Sequence, residues 1–502
     1  MRDHTMADIL TAHPVPSTRS WFDRLWSSIA DHGRKFVTLP NDDLPSRERA
    51  ELLADALLGG RGEASGAALA AALLGALRSL NPGDRKEFLE FLASGFEPDP
   101  ARLEAAARNY LAQPDAATAA ALADAAEPPR QELLRRMNMA PGGTAALIGL
   151  RTEVLAHLRS TPSLAPLDSD LQHLFASWFN RGFLELRRID WRTPAFVLEK
   201  LIAYEAVHEI SGWDDLRRRL APDRRCFAFF HPALPDEPLI FVEVALVQGL
   251  ADAIAPLLAP APDESDGEGG LHDAAAHADT AIFYSISNCQ EGLRGISFGN
   301  FLIKQVVAEL QSELPRLKRF STLSPAPGLR RAVLAFLDQP SPSPLLTAEE
   351  RDAIIRAAAL SAADDTALLA TALTTEAWWA KPDLTAALRA PVLRLAAQYL
   401  TQTLRDDVRD KPRPDPVARF HLGNGARLER INWLGNTSPR GIAESFGIMV
   451  NYLYDPEAIE SRHEAYLRDG SVARAGSVDQ LMTIPGQSWL ARRTRGLIAA
   501  EG

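Results

Sequence analysis

Apolar residues recur at helical spacing through most of the first 190 positions, with Leu52, Leu53, Ala56 and Leu57 forming one set and Phe88, Leu89, Phe91 and Leu92 another. Breakers separate the sets at Asn81-Pro82-Gly83, Glu97-Pro98-Asp99-Pro100, Ala140-Pro141-Gly142-Gly143 and Thr161-Pro162, and each stretch between them has the length of a helix. The pattern predicts seven or eight helices between residues 17 and 190, an all-α domain over 1–190. It holds no constellation of polar residues suited to chemistry, so its expected roles are packing and subunit contact.

The pattern changes near Asp190. Cys226–Phe230 and Leu239–Leu246 are short, apolar and rich in aromatic or β-branched residues, and the turn-forming HPALPDEP separates them, a strand-turn-strand signature. The polar, acidic stretch from Pro260 to Gly270 reads as an exposed loop. A strand over Ala281–Ile286, a Gly-rich turn and a helix over Phe301–Leu314 follow. Helical patterning resumes at Thr347-Ala348-Glu349-Glu350, which has capping-box spacing, and runs to Leu404 with a break at Lys381-Pro382. The Pro-rich segment Lys411–Pro416 ends it, and strand-like sequence returns at Val417–Leu422 and Leu428–Leu434. The expected architecture is an α+β multidomain chain, with an α/β domain over 191–502 that holds the site and is interrupted by a helical insertion at about 340–410.

Composition narrows the partners. Of 502 residues, 46% are apolar and 24% charged, as in ordinary globular proteins, and the formal charge of −11 argues against nonspecific binding to nucleic acid, which needs a basic field. An anionic ligand therefore has to be held by a local cluster. Cys226 and Cys289 are the only cysteines and no zinc-type spacing occurs, so a reduced chain without a metal is expected. No apolar run approaches the roughly 20 residues that span a bilayer. The C-terminal Ile498–Gly502 carries no peroxisomal tripeptide, and a cytoplasmic location is expected.

Three segments bear candidate chemistry. In the first, Arg294-Gly295-Ile296-Ser297-Phe298-Gly299-Asn300, glycines strip the start of a helix of bulky side chains, leaving backbone N–H groups and the positive end of the helix dipole facing one spot. That is an anion site, although the same glycines also serve tight strand-to-helix packing. The spacing resembles the R-x-x-G-x-G pyrophosphate loop of GNAT-type acyltransferase folds, with Ser297 where that pattern has a glycine, which makes coenzyme A the leading ligand. The second segment, FSTLSPAPG, places Ser324 at a strand end stiffened by prolines, where its hydroxyl either faces a cleft or caps the turn. The third, RFHLGNGA, places His421 among apolar neighbours, at an expected strand end before the Gly423-Asn424-Gly425 turn.

Together with RRCFAFFHP, FVEVALVQGL, RINW and NYLY, these segments resemble, in order, the malonyl-CoA decarboxylase family, and YEAVHEISGWDDLRRRL extends the likeness more weakly toward the N-terminal half. The resemblance implies a helical oligomerisation domain, a homotetramer, a GNAT-like catalytic domain and action on malonyl-CoA without a cofactor. It puts the catalytic serine on Ser324, the histidine on His421 and the acyl-CoA loop on Arg294–Asn300. Animal members carry an acidic residue at the position of Ser297, so no carboxylate role transfers there. Loss of CO2 leaves a thioester enolate; backbone N–H groups suit its oxygen, and a histidine with the usual pKa of about 6.5 suits delivery of a proton. Ser324 would hold the carboxylate or join the proton network. Asn432, Arg440 and Tyr454 are further pocket candidates, each equally at home in a packed strand end. An acyl-CoA-dependent N-acyltransferase fits the phosphate loop equally well, and a non-enzymatic CoA-sensing scaffold is the third reading.

Overall fold

The computed structural model describes residues 21–41, 43–59, 62–260, 267–296, 301–339, 344–360, 364–401 and 415–482. Nine α-helices, from Trp21–Gly33 to Ala165–Trp178, fill the N-terminal part of the described chain, more than the seven or eight expected. The additional helices lie between proline breaks. Asp115 caps Ala116–Ala126 in a reciprocal box with Thr118, and Pro129 opens Pro129–Asn138, where its missing N–H costs nothing. Leu53, Leu57, Phe88, Leu89 and Leu92 all point inward and are buried.

The sheet begins earlier than the pattern change at Asp190. Strand β1 (Glu185–Ile189) lies within the stretch read as helical, because its sequence ELRRI is mostly solvent-facing and shows little apolar period. Strands β2 (Arg224–Phe230) and β3 (Ile240–Val247) pair antiparallel, then β3 pairs antiparallel with β4 (Thr280–Asn288). Every residue of β2 is buried, which explains the unbroken apolar run Cys226–Phe230 that follows its two arginines. The helix Phe301–Glu313 supplies the crossover that a parallel pair requires, bringing β5 (Arg319–Thr322) alongside β4. The short β6 (Ser324–Pro325) nearly continues β5. Both pair antiparallel with β8 (Met449–Tyr454), whose other edge takes β7 (Arg427–Asn432).

The helical insertion contains Ala348–Ala358, Asp365–Thr374 and Pro382–Leu400. Its first helix carries the expected capping box, with Glu350 N donating to Thr347 Oγ1 at 3.1 Å and Thr347 N to Glu350 Oε2 at 2.9 Å. Two expectations change. Part of the acidic loop is ordered as the start of a helix, Gly267–His277, while residues 261–266 lie outside the described residues. Val417–Leu422 is not a strand: Pro416–Gly423 is a helix, opened by Pro416 and capped by the Asp415 carboxylate on Val417 N and Ala418 N. An N-cap acid followed by proline overrides the short apolar run.

One apolar core runs from the N-terminal helices into the sheet, through Leu147 and Ile148 to Leu293, Ile296, Val306 and Phe283. A buried cation stitches the same junction. Arg151 donates to the Asp168 carboxylate at 2.8 Å and to the carbonyls of Gly292 and Arg294 at 2.8 and 2.9 Å. Gly292 approaches so closely that an added Cβ would lie 2.1 Å from the Ile148 carbonyl oxygen. Among the described residues no helix is long and apolar enough to cross a membrane.

Candidate active site

Parallel pairing of β4 with β5 stops at Phe283 and Thr322, although β4 runs on to Asn288. On the other edge of β4 the register with β3 shifts: Phe283 faces Val244 and Ser285 faces Glu243, so Tyr284 is the extra residue of a bulge. A wedge opens between β4 and the β5–β6 segment. It forms part of a cavity of about 950 Å³ whose walls include Phe283, Tyr284, Ile286 and Asn288 from β4, with Ser324 and Pro325 opposite. Gly295, Ile296, Leu302 and Ile303 line another side. The helix Pro416–Gly423 closes it with Arg419, Phe420 and His421. A mainly apolar cleft of this size with a few convergent polar groups is the usual form of a small-molecule site.

Ser324 and His421, 97 positions apart in sequence, meet here with Oγ and Nε2 separated by 3.1 Å. The other ring nitrogen, Nδ1, lies 2.7 Å from the Tyr454 hydroxyl. The three side chains are 7%, 3% and 1% exposed, so they form a buried hydrogen-bonded string with its serine end at the cavity. The Tyr452 ring stacks on the imidazole, with centroids 4.7 Å apart and planes 25° apart. Burial pulls the His421 pKa down to about 3 and pushes the Tyr454 phenol well above its ordinary value. The expected imidazole titrating near 6.5 is therefore corrected: burial disfavours the charged ring and holds it neutral at physiological pH.

His421 occupies the last turn of its helix rather than a strand end. Gly425, just beyond, has φ of +79°, and an added Cβ would lie 2.1 Å from the Ile459 carbonyl oxygen, so this turn demands glycine. Of the loop read as an anion site, Gly295 and Ile296 reach the cavity, while the Arg294 side chain is exposed and paired with Glu291. Ser297, Phe298, Gly299 and Asn300 lie outside the described residues. Asn432 donates to Asn451 Oδ1 at 2.8 Å, and the exposed Arg440 pairs with Glu444 at 3.0 Å; neither lines the cavity.

Three residues that hold this arrangement were not singled out by sequence reasoning: Asp415, Tyr399 and Tyr452. Asp415 was legible in principle, as an acid immediately before a proline at a helix start. Nothing in the local sequence marks a tyrosine whose ring will stack on a histidine from a distant helix.

A helical region followed by a mixed-sheet domain, with a cleft lined by a buried serine and histidine, defines a chain built to take a small molecule between helices and a splayed sheet. Comparison with known proteins gives the family. The malonyl-CoA decarboxylase C-terminal domain family matches residues 182–492, and the malonyl-CoA decarboxylase N-terminal domain family matches residues 96–179. Mitochondrial malonyl-CoA decarboxylase of Anser anser anser is 38% identical over 410 residues, covering 78% of each chain, and that of Mus musculus is 34% identical over 422 residues, covering 80% of this chain and 82% of that one. The crystal structure of malonyl-CoA decarboxylase from Rhodopseudomonas palustris is 49% identical with a TM-score of 0.75, spanning 87% of this chain and 100% of that one. The chain belongs to the malonyl-CoA decarboxylase family.

Proposed function

We propose that this protein converts malonyl-CoA to acetyl-CoA and CO2, with the chemistry at Ser324, His421 and Tyr454. The observation that carries the reading is the buried hydrogen-bonded string of these three side chains at the cavity wall. Beyond Phe283 the edge of β4 has lost its β5 partner, and an amide-bearing pantetheine arm would lie along it as an added strand. The phosphates would then reach the helix start after Gly295, the loop that the sequence marks as an anion site. This use of the wedge supports the GNAT-like reading of the sheet.

Cleavage of the C–C bond expels CO2 and leaves its electron pair in the thioester enolate. Ser324 Oγ would hold the departing carboxylate and then give its proton to the α-carbon. His421 Nε2–H would replace the proton on Ser324, while Tyr454 supplies one to Nδ1. The negative charge that entered on the carboxylate rests briefly on the phenol, a weaker base than the enolate carbon. A proton from solvent then resets the string, so each turnover consumes one proton. The neutral imidazole works here as a relay, taking a proton at one nitrogen as it gives one at the other.

The test is release of labelled CO2 from malonyl-CoA carrying label in the free carboxyl group, with no amine present. One acetyl-CoA per CO2 is expected. Absence of CO2 release, or release that requires an amine acceptor, contradicts the reading and favours acyl transfer. The same reading makes the N-terminal helices the oligomerisation domain of a homotetramer and the chain from β1 onward the catalytic domain, which moves the boundary expected at residue 190 back to before Glu185. It places the protein in the cytoplasm, consistent with Cys226 and Cys289 being buried free thiols.

A further inference from the structure

Ser324 and His421 reach the site from different parts of the fold, one at the start of β6 and one on a helix of eight residues. A hydrogen bond between side chains does not itself fix their separation; something must hold the two backbones. Asp415 touches both. Its Oδ1 accepts from Val417 N at 2.9 Å and Ala418 N at 3.2 Å, at the start of the helix that carries His421. Its Oδ2 accepts from Gly328 N at 3.0 Å, four residues beyond Ser324 in Ser-Pro-Ala-Pro-Gly. Pro325 and Pro327 fix their own φ angles, so an anchor at Gly328 is transmitted to Ser324 with little slack.

The carboxylate is 2% exposed, and a group so buried is costly unless its lone pairs are filled. A fourth donor fills them: Tyr399 Oη, from the insertion helix Pro382–Leu400, lies 3.2 Å from Oδ2. Gly328 lets this cluster close, since a Cβ there would lie 2.3 Å from Tyr399 Oη. One buried acid thus joins the serine turn, the histidine helix and the insertion.

We propose that Asp415 is a positioning residue that sets the distance between Ser324 and His421 by clamping Gly328 N to the start of the histidine helix. The proposal rests on the reading that Ser324 and His421 carry the decarboxylation. An amide at 415 keeps one acceptor but turns an N–H toward the donors on the other side, which pushes Gly328 away from the helix. A displacement approaching 1 Å at a reacting pair costs roughly 100-fold in turnover.

The experiment measures kcat, KM and coenzyme A affinity by calorimetry for the full-length wild type, Asp415→Asn, Ser324→Ala and the double variant. Asp415→Asn is expected to lower kcat by roughly 30- to 100-fold while KM and coenzyme A affinity stay within about threefold. In the Ser324→Ala background the same change is expected to lower kcat by less than about threefold, because there is no longer a pair to position. A merely structural role predicts equal losses in both backgrounds, and that result overturns the proposal. So does a folded Asp415→Asn enzyme with wild-type kcat. If Asp415→Asn does not fold, Tyr399→Phe, which removes one of the four donors and so frees the carboxylate to shift against its three backbone contacts, is expected to lower kcat with KM unchanged; an unchanged kcat is then the contrary result. A wild type that releases no CO2 instead overturns the functional reading itself, so the two failures are distinct.

Discussion

Replacing His421 by alanine is expected to lower kcat for CO2 release by roughly 10²- to 10⁴-fold, the range over which a positioned proton-transfer group contributes. The ring is the middle of the string, joining Ser324 at 3.1 Å to Tyr454 at 2.7 Å, so its removal would disconnect the serine from the proposed proton source. Coenzyme A affinity should change by less than about threefold, because the loop and the β4 edge that would hold the thioester arm lie on other elements. A uniform loss seen only in KM would mean that His421 serves ground-state binding. Retention of kcat within a few-fold would remove it from the chemistry. The variant also leaves a cavity beneath Tyr452, whose ring stacks on the imidazole, so folding has to be checked by circular dichroism before the rate is interpreted.

The second large effect is on stability. Arg151→Met keeps most of the side-chain volume but removes the charge that binds Asp168 and the donors that satisfy the carbonyls of Gly292 and Arg294. Breaking one partner of a buried ion pair costs about 3–5 kcal/mol, because the remaining charge is left uncompensated. A loss of that size is expected in denaturant unfolding. An accompanying rise in KM for malonyl-CoA is expected too, since Gly292 and Arg294 lie just before Gly295 and Ile296, which line the cavity. A loss below about 1 kcal/mol would show that the junction between the helices and the sheet is held by apolar packing alone.

Much of the fold was legible from the chain. The helices of the N-terminal part declare themselves through breakers and apolar spacing, and β2 and β3 through short, mainly apolar runs between turn residues. Ser324 at a strand end, and the capping box at Thr347, needed only local sequence. His421 was identified as a residue but misplaced in its setting. Four apolar positions in VARFHL suggested a strand, whereas Asp415-Pro416 fixes the helix start and the strand alternation is absent. β1 escaped because an edge strand with charged, solvent-facing positions carries almost no period.

What the sequence could not reveal were contacts made across long separations. Burial pulls the His421 pKa down to about 3, and the rings packed on the imidazole, Tyr452 and Tyr454, arrive on β8. The wedge begins where β4 loses β5 at Phe283 and Thr322, beside a one-residue register shift with β3 at Tyr284, a property of three strands together. Asp415 reads as a helix cap from its neighbours alone; its bonds to Gly328 and Tyr399 appear only once the insertion is folded against the serine turn.

The central mechanistic claim is that the proton passes through a string whose imidazole is neutral before substrate arrives, and the dependence of kcat/KM on pH tests it most directly. This ratio reports ionisations of the free enzyme. With burial holding His421 at about 3 and Tyr454 well above its ordinary value, neither group changes protonation between pH 5.5 and 8. A neutral relay gives kcat/KM constant within about twofold over that range. If His421 instead had to be an imidazolium, kcat/KM would fall about tenfold for each pH unit above its pKa; a steady decline of that slope from pH 5.5 to 8 contradicts the neutral relay.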